Sequence, residues 1–293
     1  LLVAFAISLL TAPAGVSGAF LLLPFQVSVL GFTGPAVSPT NLIYNVAATP
    51  GGILGYVRER RVVWPLMWTI VFGTLPGVFV GAVLRIRYLS DPRVFEAFVG
   101  LVLLYLGARL LYETVGTFAR ARASNGAVRQ RAAANTGPPS LPAEGAIRIS
   151  RVSMRKVEYE FRGKTFSFGT VTVFLLSLVV GVVGGIYGVG GGAFIAPFLV
   201  SFLGLPVYTV AGATLMGTFV TSAAGVAFFR VLAETDLVTR TPVSPDWYLG
   251  LLLGIGGLAG SYTGARLQRF LPEIWIKAVL GILITLLALG YLW

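Results

Sequence analysis

The chain states nearly the same apolar pattern twice, and this duplication constrains its fold more than any other feature. Residues 14–56 align without a gap on residues 187–229, and the identical pairs include Gly15 and Gly188, Gly18 and Gly191, Pro24 and Pro197, Leu42 and Leu215, and Gly52 and Gly225. After an insertion in the second copy the match resumes, pairing Trp64 with Trp247, Gly73 with Gly256, Gly77 with Gly260 and Gly81 with Gly264. Two related hydrophobic halves, each opening on a glycine-broken segment, form an architecture used by membrane transporters.

Composition points the same way. Of 293 residues, 56% are hydrophobic and 11% charged, against about 25% charged in an ordinary soluble domain. The apolar residues fall into runs near the roughly 20 residues that cross a bilayer. The expected class is therefore an all-α polytopic membrane protein. The net charge of +11 does not indicate a nucleic-acid partner, because Arg120, Arg122, Arg129, Arg131, Arg148, Arg151, Arg155, Lys156, Arg162 and Lys164 share one polar stretch. Basic segments beside membrane spans mark the cytoplasmic side. Cysteine and histidine are absent, which removes disulfides and the usual transition-metal ligands. No metal or cofactor is called for. Leu1–Ala14 has the look of a signal-peptide core, yet it aligns with Phe174–Tyr187 deep inside the chain, so it reads as a membrane segment. Without an initiator Met, the sequence is expected to begin slightly downstream of its natural start.

Three parts follow: a first transmembrane repeat over 1–117, a basic cytoplasmic linker over 118–166, and a second repeat over 167–293. Each repeat is expected to hold a glycine-broken pair of short segments (1–13 with 18–31, and 168–186 with 192–204) and about three longer spans. The linker composition predicts a flexible segment without a core. Its last portion is the exception. Val157, Tyr159 and Phe161 alternate with charged residues before Gly163, which predicts a small hairpin on the membrane face. The short segments at 18–31 and 192–204 reach only about 20 Å at 1.5 Å per residue. Each joins the segment before it, either as a re-entrant hairpin or as one broken crossing. A hairpin leaves three crossings per half and inverts one half relative to the other. Inversion is favoured, since it brings the two breaks together at mid-membrane from opposite sides.

The breaks are the candidate site. One contains Gly15, Ser17 and Gly18; the other contains Gly188, Gly190, Gly191 and Gly192. Glycine costs a helix about 1 kcal/mol against alanine, and irregular backbone persists at membrane depth only where it is buried in protein or lines a cavity. Such a break bares amide N–H groups at the start of the next helix, where an anion is favoured. The following helices add neutral donors at helical spacing: Asn41, Asn45 and Thr49 in the first half, and Thr214, Thr218 and Ser222 at the matching positions of the second. Thr49 and Ser222 read as interhelical glue. Arg109 and Glu113, four residues apart, read as a snorkelling pair, and Glu96 and Lys277 as interfacial. No span carries clustered acids or a nucleophile with a base, so catalysis is not expected. Potential alone favours anion exit by about 2.3 kcal/mol per charge per 100 mV, and neutral donors let the anion go.

These residues resemble those of the sulfite exporter family of the TauE/SafE type. The likeness rests on Gly188-Val189-Gly190-Gly191-Gly192 followed by Pro197, the weaker copy Gly15–Gly18 with Pro24, and the duplicated layout. It implies a multi-pass permease of the plasma (inner) membrane that carries sulfite, organosulfonates or related sulfur oxyanions. Its expected partners are a small anionic substrate and the lipid bilayer, with a homo-oligomer allowed and no nucleic acid. A permease or channel for another small anion or carboxylate is the rival reading, and an intramembrane enzyme a more distant one.

Overall fold

The computed structural model describes residues 1–32, 34–132, 147–153, 155–234, 244–268, 270 and 273–292. Helices dominate. In the first half they are α1 (Leu2–Thr11), α2 (Ala19–Ser28), α3 (Val37–Arg58), α4 (Trp64–Arg87) and α5 (Pro92–Ala132). In the second half they are α6 (Thr170–Tyr187), α7 (Gly191–Leu203), α8 (Val207–Ala233), α9 (Trp247–Leu267) and α10 (Glu273–Leu292). Four of them, α4, α5 through Gly116, α6 and α8, are long and apolar enough to cross a membrane. Helices α3 and α9 have 22 and 21 residues, length enough for about 30 Å. The polar stripe of α3 and the glycines of α9 hold down their hydropathy. Large apolar side chains such as Trp68, Phe72, Ile255 and Leu286 stay exposed, the surface expected of helices that face lipid.

Helix directions follow from where glycines let backbones touch. Along α9, Gly256, Gly260 and Gly264 meet Leu1, Phe5 and Leu9 in turn, so α1 and α9 run the same way. Along α4, Gly73, Gly77 and Gly81 meet Phe174, Leu178 and Val182, and α6 runs with α4. Gly250 and Gly254 place α9 parallel to α3, through Ile43 and Ala47. Gly217 and Gly225 place α8 parallel to α4, through Ile70 and Val78. By contrast, α3 and α8 are antiparallel, with Gly225 on Leu42 and Gly52 on Leu215. So are α5 and α10, with Gly107 on Thr285 and Gly281 on Leu111.

Because α6 and α8 share one direction, α7 must run back between them, and Gly191 accordingly lies against Gly181. Helices α1 and α3 likewise share one direction, so α2 runs back. Each short pair is a helical hairpin, not a straight helix with a kink.

Between the halves the structure departs from the sequence expectation in two ways. Helix α5 continues past 117 as far as Ala132, so the start of the linker is helical. Residues 133–146 lie outside the described residues. Its end forms a three-stranded antiparallel sheet in the order β1 (Arg148–Val152), β2 (Lys156–Phe161), β3 (Lys164–Gly169), which makes the chain mostly rather than wholly helical. The expected hairpin is β2–β3, turning at Arg162 and Gly163, both at positive φ, as a two-residue loop requires. Val157, Tyr159, Phe161 and Phe168 are buried, and Tyr159 Oη lies 2.8 Å from Thr209 Oγ1 at the start of α8. Alternation at period two gives the strand one apolar face, and that face packs on the helical body.

Candidate functional site

The first break begins where Pro13, in a short 3₁₀ turn over Ala12–Ala14, and Gly15 in the left-handed region stop α1. Ser17 Oγ then accepts from the Ala19 N–H at 3.2 Å, just ahead of α2, whose N-cap is Gly18. The second break begins at Gly188, whose left-handed φ of 78° closes α6 in the manner of a glycine C-cap. Gly190, also at positive φ, precedes α7.

Each break inserts against the polar-striped helix of the other half. Gly188 lies on the backbone of Ser38 in α3, and Gly15 lies on Ala211 in α8. Ser38 and Ala211 are matching positions of the duplication. Any side chain at Gly188 would collide with Ser38.

One side chain joins the two breaks. Ser17 Oγ donates to Asn45 Oδ1, while Asn45 Nδ2 donates to the Val189 carbonyl at 2.7 Å. Asn45 is fully buried, and these two bonds leave one of its amide hydrogens uncommitted. Thr214 adds a second link, donating to the Gly15 carbonyl at 2.9 Å while Gly192 packs against Thr214 and Thr218. Asn45 thus links Ser17 to Val189, and Thr214 links Gly15 to Gly192 and Thr218. Gly188 packs on Ser38, Gly190 on Thr221 and Ser222, and Gly191 on Thr74 of α4 and on Gly181.

Two expected donors stand differently. Asn41 points to α2, donating to the Ala19 carbonyl at 3.0 Å and accepting from Gln26 Nε2 at 3.1 Å. The Thr218 hydroxyl turns back on its own helix, to the Thr214 carbonyl at 2.8 Å. Thr49 does the same with the Asn45 carbonyl, so neither hydroxyl ties helices together. Ser222, which also read as glue, has a buried Oγ without a hydrogen-bond partner, beside Gly190. Gly18 faces Ser8 and Tyr44. The side chains of Glu113 and Lys277 lie outside the described residues.

Beside the first break is a cavity of about 10 Å³ lined by the hydroxyl-bearing Ser8, Thr11, Ser17, Tyr44, Thr49 and Ser261, room for one water. Thr11 Oγ1 has no partner there, while Ser8 Oγ and Tyr44 Oη are 2.5 Å apart. The breaks are thus held closed by their own hydrogen bonds. Ser8, Thr11 and Tyr44 carry no signal in the sequence, because their convergence depends on how the helices are rotated, and Ser222 reads there only as glue. Arg85, near the end of α4, is also fully buried. Among the described residues no cluster of His, Cys, Asp or Glu could hold a metal.

Residues 1–291 match the family model described as Sulfite exporter TauE/SafE. A protein of Sinorhizobium fredii (strain NBRC 101917 / NGR234), described as probable membrane transporter protein y4hK, is 23% identical over 289 residues, spanning 99% of this chain and 95% of its own length. No solved structure matches the chain.

Proposed function

The chain belongs to the sulfite exporter TauE/SafE family, and on that premise we propose that this multi-pass membrane transporter exports a small sulfur oxyanion, such as sulfite or an organosulfonate, across the plasma membrane. The anion binds between the two breaks, at mid-membrane. Backbone N–H groups at the start of α7 receive it, together with the free amide hydrogen of Asn45 and the Ser222 hydroxyl. The Ser17 and Thr214 hydroxyls and the first N–H groups of α2, bonded to Asn45, the Gly15 carbonyl and Ser17 in this structure, join by exchanging those bonds for the anion. The observation that carries this reading is the bridge through Asn45, which places both glycine breaks within one side chain of each other. The protein acts as a transporter and not as an enzyme.

The two halves, 1–117 and 167–293, are inverted repeats, and each hairpin is re-entrant. The antiparallel course of the matched pairs α3/α8 and α5/α10 supports inversion, since repeats related by an axis along the membrane normal would keep matched helices parallel. With the basic 118–166 linker in the cytoplasm, the hairpin of α6 and α7 enters from that side and the hairpin of α1 and α2 from the other.

Binding of sulfite, sulfate and methanesulfonate to purified protein tests the site. Asn45→Ala is expected to weaken sulfite binding by about 1–3 kcal/mol, the cost of leaving buried groups unpaired. Unchanged affinity would move the site away from the breaks. Tighter binding of a small carboxylate than of any sulfur oxyanion would overturn the substrate class.

A further inference from the structure

Arg85, one turn from the end of α4, is a fully buried cation, and no carboxylate among the described residues pairs with it. Its donors go instead to neutral oxygens. Nε reaches Ser38 Oγ at 3.2 Å, Nη2 reaches the Gly34 carbonyl at 3.4 Å, and Nη1 reaches the Leu89 carbonyl. The Phe95 ring lies 3.7 Å from the guanidinium carbon. One side chain thereby clasps the segment before α3 to the segment between α4 and α5. Ser38 in turn donates to the Ile186 carbonyl at 3.2 Å, and its backbone is the surface on which Gly188 rests. A full positive charge therefore stands one residue away from the second break.

An ionisable side chain held inside a membrane protein is by default a candidate functional group, often on an ion pathway. Carbonyl and hydroxyl oxygens satisfy its hydrogens but not its charge. An oxyanion does both, through two parallel hydrogen bonds matched to the guanidinium fork.

We propose that Arg85 selects the anion at the outer mouth of the pathway, where α4 ends and the exported anion leaves. The oxyanion displaces the Gly34 and Leu89 carbonyls from the guanidinium, the two clasped segments part, and Ser38 lies between this station and the second break. The inference rests on the transport reading above and adds to it a charged outer station, distinct from the neutral inner one at Asn45.

Binding of sulfite and methanesulfonate to the full-length protein in detergent, followed by ligand-dependent thermal shift, tests it in wild type, Arg85→Gln, Arg85→Lys and Asn45→Ala. Arg85→Gln is expected to weaken apparent sulfite affinity at least about tenfold. Arg85→Lys, which keeps the charge and loses the fork, is expected to weaken it severalfold. A purely structural clasp predicts otherwise: lower melting temperatures without ligand and unchanged sulfite affinity in whichever variant folds, and that result overturns the proposal. Should Arg85→Gln fail to fold, Arg85→Lys decides on the same criterion. Anion binding that depends on Asn45 but not on Arg85 overturns this inference alone, whereas a wild-type protein that binds no oxyanion overturns the transport reading with it.

Discussion

Asn45 shows what a neutral amide can do that a charged group could not. It accepts from Ser17 and donates to the Val189 carbonyl at once, so it holds two irregular backbones together without adding a fixed charge at the site. Replacing it by Asp would set a negative charge among the anion's donors, and Asn45→Asp is expected to abolish sulfite binding in a fluorescence or calorimetric titration while Asn45→Gln retains part of it. Glycine at 188 is required twice over, by its positive φ and by its contact with Ser38. Gly204 has a similar φ but nothing within 4 Å. Thermal unfolding should therefore separate the two terms. Gly204→Ala costs about 1–2 kcal/mol of left-handed strain, and Gly188→Ala costs clearly more. Equal losses would deny the close approach of the second break to α3. Gly188 and Asn45 were legible in the sequence, because glycines cluster and amides stand out in apolar spans. Ser8 and Tyr44 were not, and Ser222 read only as glue, since a hydroxyl looks alike whether it faces a neighbour, a cavity or its own helix. Arg85 is buried at the end of a helix, where sequence position alone cannot tell a buried cation from an exposed one.

At the level of elements, the polar stripes of α3 and α8 divide in the structure, Asn41 going to α2 and Thr49 and Thr218 bonding their own helices. The sequence also left hairpin and broken crossing open for the short pairs. Parallel packing of both α6 and α8 with α4, through Gly73, Gly77, Gly81, Gly217 and Gly225, requires α7 to run back and supports the hairpin reading, and no local signal carries that information. The sheet was half legible. Alternation announced β2 and β3, but the burial of Tyr159 against α8 depends on a tertiary contact. That burial pushes the Tyr159 phenol up to about 12, with the Thr209 hydrogen bond acting the other way. A phenol whose pKa is raised on folding contributes stability below its unfolded value near 10 and loses it as pH climbs toward 12. Melting temperature should fall over that interval in the wild type, and this component should be missing in Tyr159→Phe. An identical alkaline profile in the two proteins would show that the sheet is not anchored through this residue. The basic linker is expected to be dispensable for flux. Deleting roughly 120–145 should leave sulfite transport in proteoliposomes intact, and loss of transport by a folded deletion variant would give the linker a part in the mechanism.

For the molecule as a whole, the proposed arrangement sets two halves facing opposite ways with their breaks meeting at the centre, and duplication in the sequence and antiparallel matched helices in the structure support it. The chain has no cysteine, so single introduced thiols report sidedness without background. Ser244→Cys, before α9, and Arg148→Cys, at the start of the sheet, are expected to react with an impermeant maleimide from opposite faces of the membrane. Labelling of both from one face would contradict inversion. The central claim is that a small oxyanion, held by neutral donors at these breaks, leaves the cell on the membrane potential alone. Efflux of radiolabelled sulfite from proteoliposomes clamped inside-negative, with no proton or sodium gradient, tests that most directly. The account predicts efflux that grows with the imposed potential and disappears in Asn45→Ala; efflux that ignores the potential and demands a proton or sodium gradient would contradict it.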